Sequence, residues 1–201
     1  MVLDFLGIER VAVVGLSLGG MVAQAMALRH GHRIRALVIA HAGARTDATV
    51  REIWNQRIDQ FESADMDALC QSTLQRWFPR DFAERAPLTL AWVESLIRAT
   101  QPSGYVAAIR AIQGLDHLDR LGAIATPTLV VAGHADAAVP AAVAGQLAER
   151  LPNAQLRLLE DTGHLGNVQA PTVFTEVVGE FLLGTIHATA RPGSQKLETL
   201  E

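Results

Sequence analysis

The chain has 201 residues, 49% hydrophobic and 19% charged, with a formal net charge of −4. That balance excludes a disordered polar chain, and the lack of any Lys/Arg run removes the electrostatic basis for a nucleic-acid partner. Cys70 is the single cysteine, so an internal disulfide and a cysteine-rich zinc site are both excluded.

The first ten residues carry Asp4 and Glu9 and no basic region, unlike a signal peptide. No uninterrupted apolar stretch approaches the roughly 20 residues of a membrane span. The expectation is a cytoplasmic protein with no membrane partner.

Four short apolar runs have the character of buried parallel strands: Val11–Gly15, Ala36–His41, Thr128–Gly133 and Gln155–Glu160, the last interrupted by Arg157. Helices are expected between and after them. Gly19–Arg29 ends at His30-Gly31, Val139–Leu151 opens next to Pro140 and stops before Pro152, and Pro171–Leu183 has one apolar face. Alternating strands and helices predict an α/β fold, a parallel sheet flanked by helices.

The stretch from Thr46 to Leu121 departs from this pattern. It holds Trp54, Trp77 and Trp92, no convincing strand, and helix-like pieces broken at Pro79, Pro87 and Pro102. It reads as a helical insertion between the second and third strands. Cys70 lies there, in a helix-like stretch where cysteine packs as a small hydrophobe. The domain expectation is thus core over residues 1–45, cap over 46–121, core again over 122–187, and a polar, flexible tail over 188–201.

Gly15-Leu-Ser17-Leu-Gly19 follows a predicted strand and opens a predicted helix, the context that a G-x-S-x-G nucleophile elbow needs. A tight strand-to-helix turn pushes the Ser17 hydroxyl out of the sheet. Glycines are expected to flank it because side chains would collide across the turn. The Leu18 N–H, at the positive helix end, is the expected oxyanion donor. Phosphate binding is disfavoured: no Lys follows, and the G-x-G-x-x-G spacing is absent.

A serine nucleophile needs a histidine base, and the histidine an orienting carboxylate. His164 follows the fourth strand in Asp161-Thr-Gly-His-Leu-Gly-Asn, and Asp136 follows the third in Gly133-His-Ala-Asp. Loops at the carboxyl ends of a parallel sheet converge on one side. Ser17, Asp136 and His164 therefore form the expected triad, in the chain order Ser, Asp, His. Asp161 is the rival acid, with turn formation as its alternative role. Of the other histidines, His30 and His32 suit a helix end, His41 lies at a strand end, His117 sits in the insertion, His134 shapes the Asp136 loop, and His187 is near the tail.

The elbow, Pro127-Thr-Leu-Val-Val-Ala-Gly-His-Ala-Asp136 and Gly163-His-Leu-Gly-Asn-Val-Gln-Ala-Pro171 resemble the α/β-hydrolases. Within them the similarity is greatest to the 3-oxoadipate enol-lactonases, whose cap Thr73–Phe78 and Gly104–Ile112 also resemble. The resemblance implies water addition to an ester or lactone with no metal and no organic cofactor, acting on a small-molecule substrate. For an anionic lactone, a cap arginine such as Arg76 or Arg98 could bind the carboxylate, with surface solvation as the other role. Trp54, Trp77 and Trp92 are candidates to line the substrate space, with packing as the other role.

Members of this family begin with several strands and a His-Gly loop that supplies a second oxyanion N–H. Here the elbow comes at residue 17, preceded only by a short helix from about Val2, so the N-terminal part of the sheet is expected to be absent. One lost oxyanion donor costs about 10²–10³ in rate, and a free sheet edge invites a homo-oligomer. A catalytically impaired fragment that acts through association is the competing reading, and perhydrolase or lyase chemistry on the same triad is a third.

Overall fold

The computed structural model describes residues 2–63 and 65–189. After a short helix α1 (Val2–Phe5), four strands form one sheet: β1 (Val11–Leu16), β2 (Ile34–Ala40), β3 (Thr128–Gly133) and β4 (Ala154–Leu159). They lie in the order β1-β2-β3-β4, and every pairing is parallel. Strands of this kind are buried on both faces only if helices cover both.

Alternation of side chains along β2 and β3 sends residues to two cores. Leu37, Ile39, Val130 and Ala132 pack under α2 (Leu18–His30) and α8 (Ala141–Arg150), with Leu121 of the 3₁₀ segment Leu118–Ala123 and Ile124 just after it. Val38, Ala40, Leu129 and Val131 pack under Phe174, Val178 and Phe181 of α10 (Pro171–Thr189). Each such Leu or Ile, removed from water, contributes roughly 1.5–3 kcal/mol. β4 is an edge strand, so Gln155 and Arg157 face solvent while Leu159 is buried. The interrupting arginine is therefore the outward position of a half-exposed strand.

Between β2 and β3 the chain forms α3 (Ala48–Glu62), α4 (Met66–Trp77), α5 (Arg80–Arg85), α6 (Pro87–Arg98) and α7 (Pro102–Gln113). Asp47 and Asp65 cap α3 and α4 by accepting from Val50 N–H and Ala68 N–H, and prolines open α6 and α7. The two ends of this insertion are tied together: Thr46 N–H donates to Leu115 O and His117 N–H to Ala44 O. Arg45 bridges Asp116 and Asp119 beside them. Cys70 is buried within α4, and burial pushes its thiol up.

One expectation shifts. Helix α10 continues to Thr189, so Ala188 and Thr189 are helical rather than the start of a flexible tail; the rest of that stretch lies outside the described residues. Among the described residues no helix is long and apolar enough to cross a membrane.

Candidate active site

All four strands end on one side, and each end is followed by a residue of the site or its frame. Ser17 sits between β1 and α2 at φ 53°, His41 directly after β2 at φ 51°, and Asp161 after β4 at φ 49°. A non-glycine residue in this left-handed region costs of order 1–3 kcal/mol and persists where the surroundings over-determine it. At the elbow they do. Ser17 N–H donates to Ala40 O at 2.8 Å, and a Cβ on Gly15 would stand 2.2 Å from Gly19 O. A Cβ on Gly20 would likewise stand 2.7 Å from Ala42 Cβ, but a Cβ on Gly19 would meet nothing within 4 Å. Steric need thus falls on Gly15 and Gly20, not on both glycines of the motif.

Ser17 Oγ lies 2.9 Å from His164 Nε2, and His164 Nδ1 lies 2.9 Å from Asp136 Oδ2. An ionised carboxylate only accepts, so His164 Nδ1–H is the donor to it. That tautomer leaves Nε2 as the acceptor for the Ser17 hydroxyl. Asp136 Oδ1 accepts from Ala138 N–H and Val139 N–H, each at 2.8 Å. Both Asp136 and His164 are buried and Ser17 is partly exposed. Burial alone would raise the Asp136 carboxyl. Hydrogen bonds from His164 and His41, the His164 charge and the Val139 N–H outweigh it, holding the group far below the ordinary carboxylate range.

The histidine loop is fastened to α4. His164 N–H donates to Trp77 O at 2.8 Å, and a Cβ on Gly163 would stand 2.4 Å from that same carbonyl. Trp77 stacks on the His164 ring at 6.2 Å between centroids. Trp77 and Trp92 line a cavity of about 300 Å³ with Leu16, Leu96 and Leu165. Trp54 is elsewhere, beneath the guanidinium groups of Arg57 and Arg76 at 6.0 and 5.6 Å from its ring centre. Burial, then the Arg57 charge, push the Arg76 guanidinium below its ordinary value, and the charge of Asp136 reaches it. Arg98 is instead exposed and paired with Asp67 and Glu94.

Asp161 is exposed, and its carbonyl accepts from Gln169 Nε2 at 2.6 Å, the behaviour of a turn residue. His134 faces Glu160 at 3.6 Å at the surface. His41 is the residue that sequence reasoning passed over: wholly buried, it places Nδ1 3.2 Å from Asp136 Oδ2. Its position at a strand end, matching those of the other site residues, was the available signal. His41, Asp136 and His164 each offer a ligand atom, all within 4.8 Å of one another, the one such metal-capable group among the described residues. Both imidazoles there direct Nδ1 at the same carboxylate oxygen.

A family model described as alpha/beta hydrolase fold matches residues 1–171. "Putative carbamate hydrolase RutD" of Caulobacter sp. strain K31 is 32% identical over 184 residues, 90% of this chain and 69% of the relative. 3-Oxoadipate enol-lactonase 1 of Acinetobacter baylyi is 28% identical over 182 residues, 90% of this chain and 67% of the relative. The crystal structure of the enol-lactonase from Burkholderia xenovorans LB400 superposes with a TM-score of 0.84 at 32% identity, covering 90% of this chain and 69% of that one. The chain thus spans about two thirds of the length of these relatives. With a parallel sheet flanked by helices and a family match over most of its length, the chain belongs to the α/β-hydrolase fold family.

Proposed function

We propose that the protein is a serine hydrolase of carboxylic esters or lactones. Ser17 Oγ attacks the substrate carbonyl while His164 Nε2 takes its proton. Asp136 orients the imidazole and stabilises the imidazolium. The Leu18 N–H, in the first turn of α2 and without an intrahelical acceptor, binds the oxyanion. Collapse of the tetrahedral species returns the proton to the departing alkoxide and leaves an acyl-serine. Water, deprotonated by His164, then releases the acid. The observation that carries this reading is the continuous Ser17–His164–Asp136 chain at 2.9 Å per link.

Helices α3–α7 act as a cap over this site. Trp77 and Trp92 offer an apolar wall for the substrate. Among the described residues Arg57 and Arg76 pair with no carboxylate; Arg57 donates from one terminal nitrogen to Thr73 Oγ1, and its Nε is buried without a partner. Such a pair favours a substrate that carries a carboxylate of its own, in keeping with the enol-lactonase relatives. The RutD relatives support carbamates as a second substrate class for the same acyl-transfer steps.

Fluorophosphonate labelling located by peptide mass spectrometry tests the nucleophile. Adduct at Ser17, absent from Ser17→Ala and from heat-denatured protein, is the expected result. A folded, unlabelled chain would refute the reading. Parallel assays on neutral esters, carboxylate-bearing lactones and carbamates then rank the substrates.

A further inference from the structure

We propose that His41 is a positioning residue for this chemistry, holding the Asp136 carboxylate in register with His164 through a second imidazole hydrogen bond. The proposal rests on the serine-hydrolase reading above. Asp136 Oδ2 serves two rings at once: His164 Nδ1 at 2.9 Å and His41 Nδ1 at 3.2 Å. With Ala138 and Val139 N–H on Oδ1, four donors surround the carboxylate and remove its freedom to rotate. An outer partner that fixes a catalytic group's orientation acts in just this way.

Everything around His41 keeps its ring in place. Its side chain is fully buried. Phe174 of α10 lies parallel to it, with centroids 6.5 Å apart at 18°, and the His164 ring meets it edge-on at 5.9 Å and 78°. A Cβ on Gly166, in the short helix α9 (Gly166–Gln169), would stand 2.6 Å from His41 Nε2. That nitrogen is buried and has no partner. With Nδ1–H committed to Asp136, Nε2 carries only a lone pair against the Gly166 backbone. An ordinary core histidine would satisfy both nitrogens; this one satisfies only the nitrogen that faces the acid. Its backbone stands at φ 51°, where asparagine is also tolerated.

The test uses the full chain and two substitutions. His41→Leu keeps the bulk and removes the donor. His41→Asn keeps an N–H close to the position of Nδ1 and accepts the backbone geometry. Read as the rate of fluorophosphonate labelling at Ser17 and as kcat on a p-nitrophenyl ester, His41→Leu should lose about 10–100-fold, the size expected for an outer partner of a catalytic group. KM should stay unchanged, and His41→Asn should recover most of the loss. The proton NMR spectrum of the wild type gives a readout independent of any variant's folding. It should show two low-field ring N–H signals, one from His41 and one from His164, each hydrogen-bonded to Asp136. A His41→Leu protein that labels at the wild-type rate, a folded His41→Asn as slow as His41→Leu, or a single low-field signal would each overturn the proposal alone. A folded wild type that does not label would overturn the hydrolase reading and this proposal with it.

Discussion

Asp136 is where burial, charge and hydrogen bonding meet, and its environment makes two predictions. Asp136→Asn offers His164 an amide that can present the wrong partner to Nδ1, and a loss of about 10⁴ in kcat is expected from such a change in a serine triad. The second concerns stability. A carboxyl whose folded-state value is depressed contributes stability above its ordinary pKa of about 3.9, and loses it as pH falls from there toward the folded-state value. Urea unfolding at pH 7 should therefore show a gap between wild type and Asp136→Asn that narrows near pH ~3; an equal gap at both would mean that the depression is not coupled to folding. Arg76 supports a third prediction. Half-buried over Trp54 beside Arg57, it should bind an anionic substrate group through a charge-assisted hydrogen bond of about 1.5–3 kcal/mol. Arg76→Met should raise KM by roughly 10–100-fold for carboxylate-bearing substrates, with kcat and the KM of neutral esters little changed. A uniform loss on both substrate types would assign Arg76 to cap packing instead.

At the scale of elements, the turn between β1 and α2 separates what a motif says from what sterics demand. A Cβ on Gly15 would meet Gly19 O, Gly19 C and Gly20 N at 2.2–2.7 Å, all backbone atoms that cannot rotate away. Gly15→Ala should lower stability by about 1–3 kcal/mol or more. Gly19→Ala meets open space within the first turn of a helix, and should be neutral or stabilising by about 0.4–1 kcal/mol. Thermal unfolding of the two variants checks both; equal losses would mean that the elbow relaxes as a unit. The strands were legible because a sheet buried on both faces needs continuous apolar runs, and β3 spans Thr128–Gly133 as the pattern has it. Their carboxyl ends located Ser17, Asp136 and His164. His41 was not legible as part of the site because no local pattern distinguishes a strand-end histidine that caps a carboxylate from one that packs. That distinction depends on Asp136, 95 residues away. The roles of the tryptophans were likewise hidden: helical periodicity does not say that Trp77 reaches the His164 ring while Trp54 lies under two arginines.

For the molecule as a whole, the site lies beside an open edge of the sheet. β1 carries Ser17 at its end, pairs with β2 on one edge, and has no strand on its other edge among the described residues. The apolar side chains around it are correspondingly open: Phe5 is 88% exposed, Leu6 57%, Val22 51% and Val14 49%. Helix α10 covers Val38 and Leu129 on the same face of the sheet but leaves Val14 uncovered. An unpaired parallel edge presents free N–H and C=O groups beside an apolar face, and both features favour association with another such edge. We therefore expect the 201-residue chain to self-associate as its concentration rises, visible as a growing sedimentation coefficient. Val14→Lys, which places an ammonium on the open face, should shift that transition to higher concentration. Labelling at Ser17 separates the consequences for function. A labelling rate that climbs with self-association would mean that a second copy steadies the elbow strand, and Val14→Lys would then slow the reaction at a given concentration. A rate independent of concentration would mean that β2 and α2 suffice to hold Ser17 against His164, and that association through this edge is separate from catalysis.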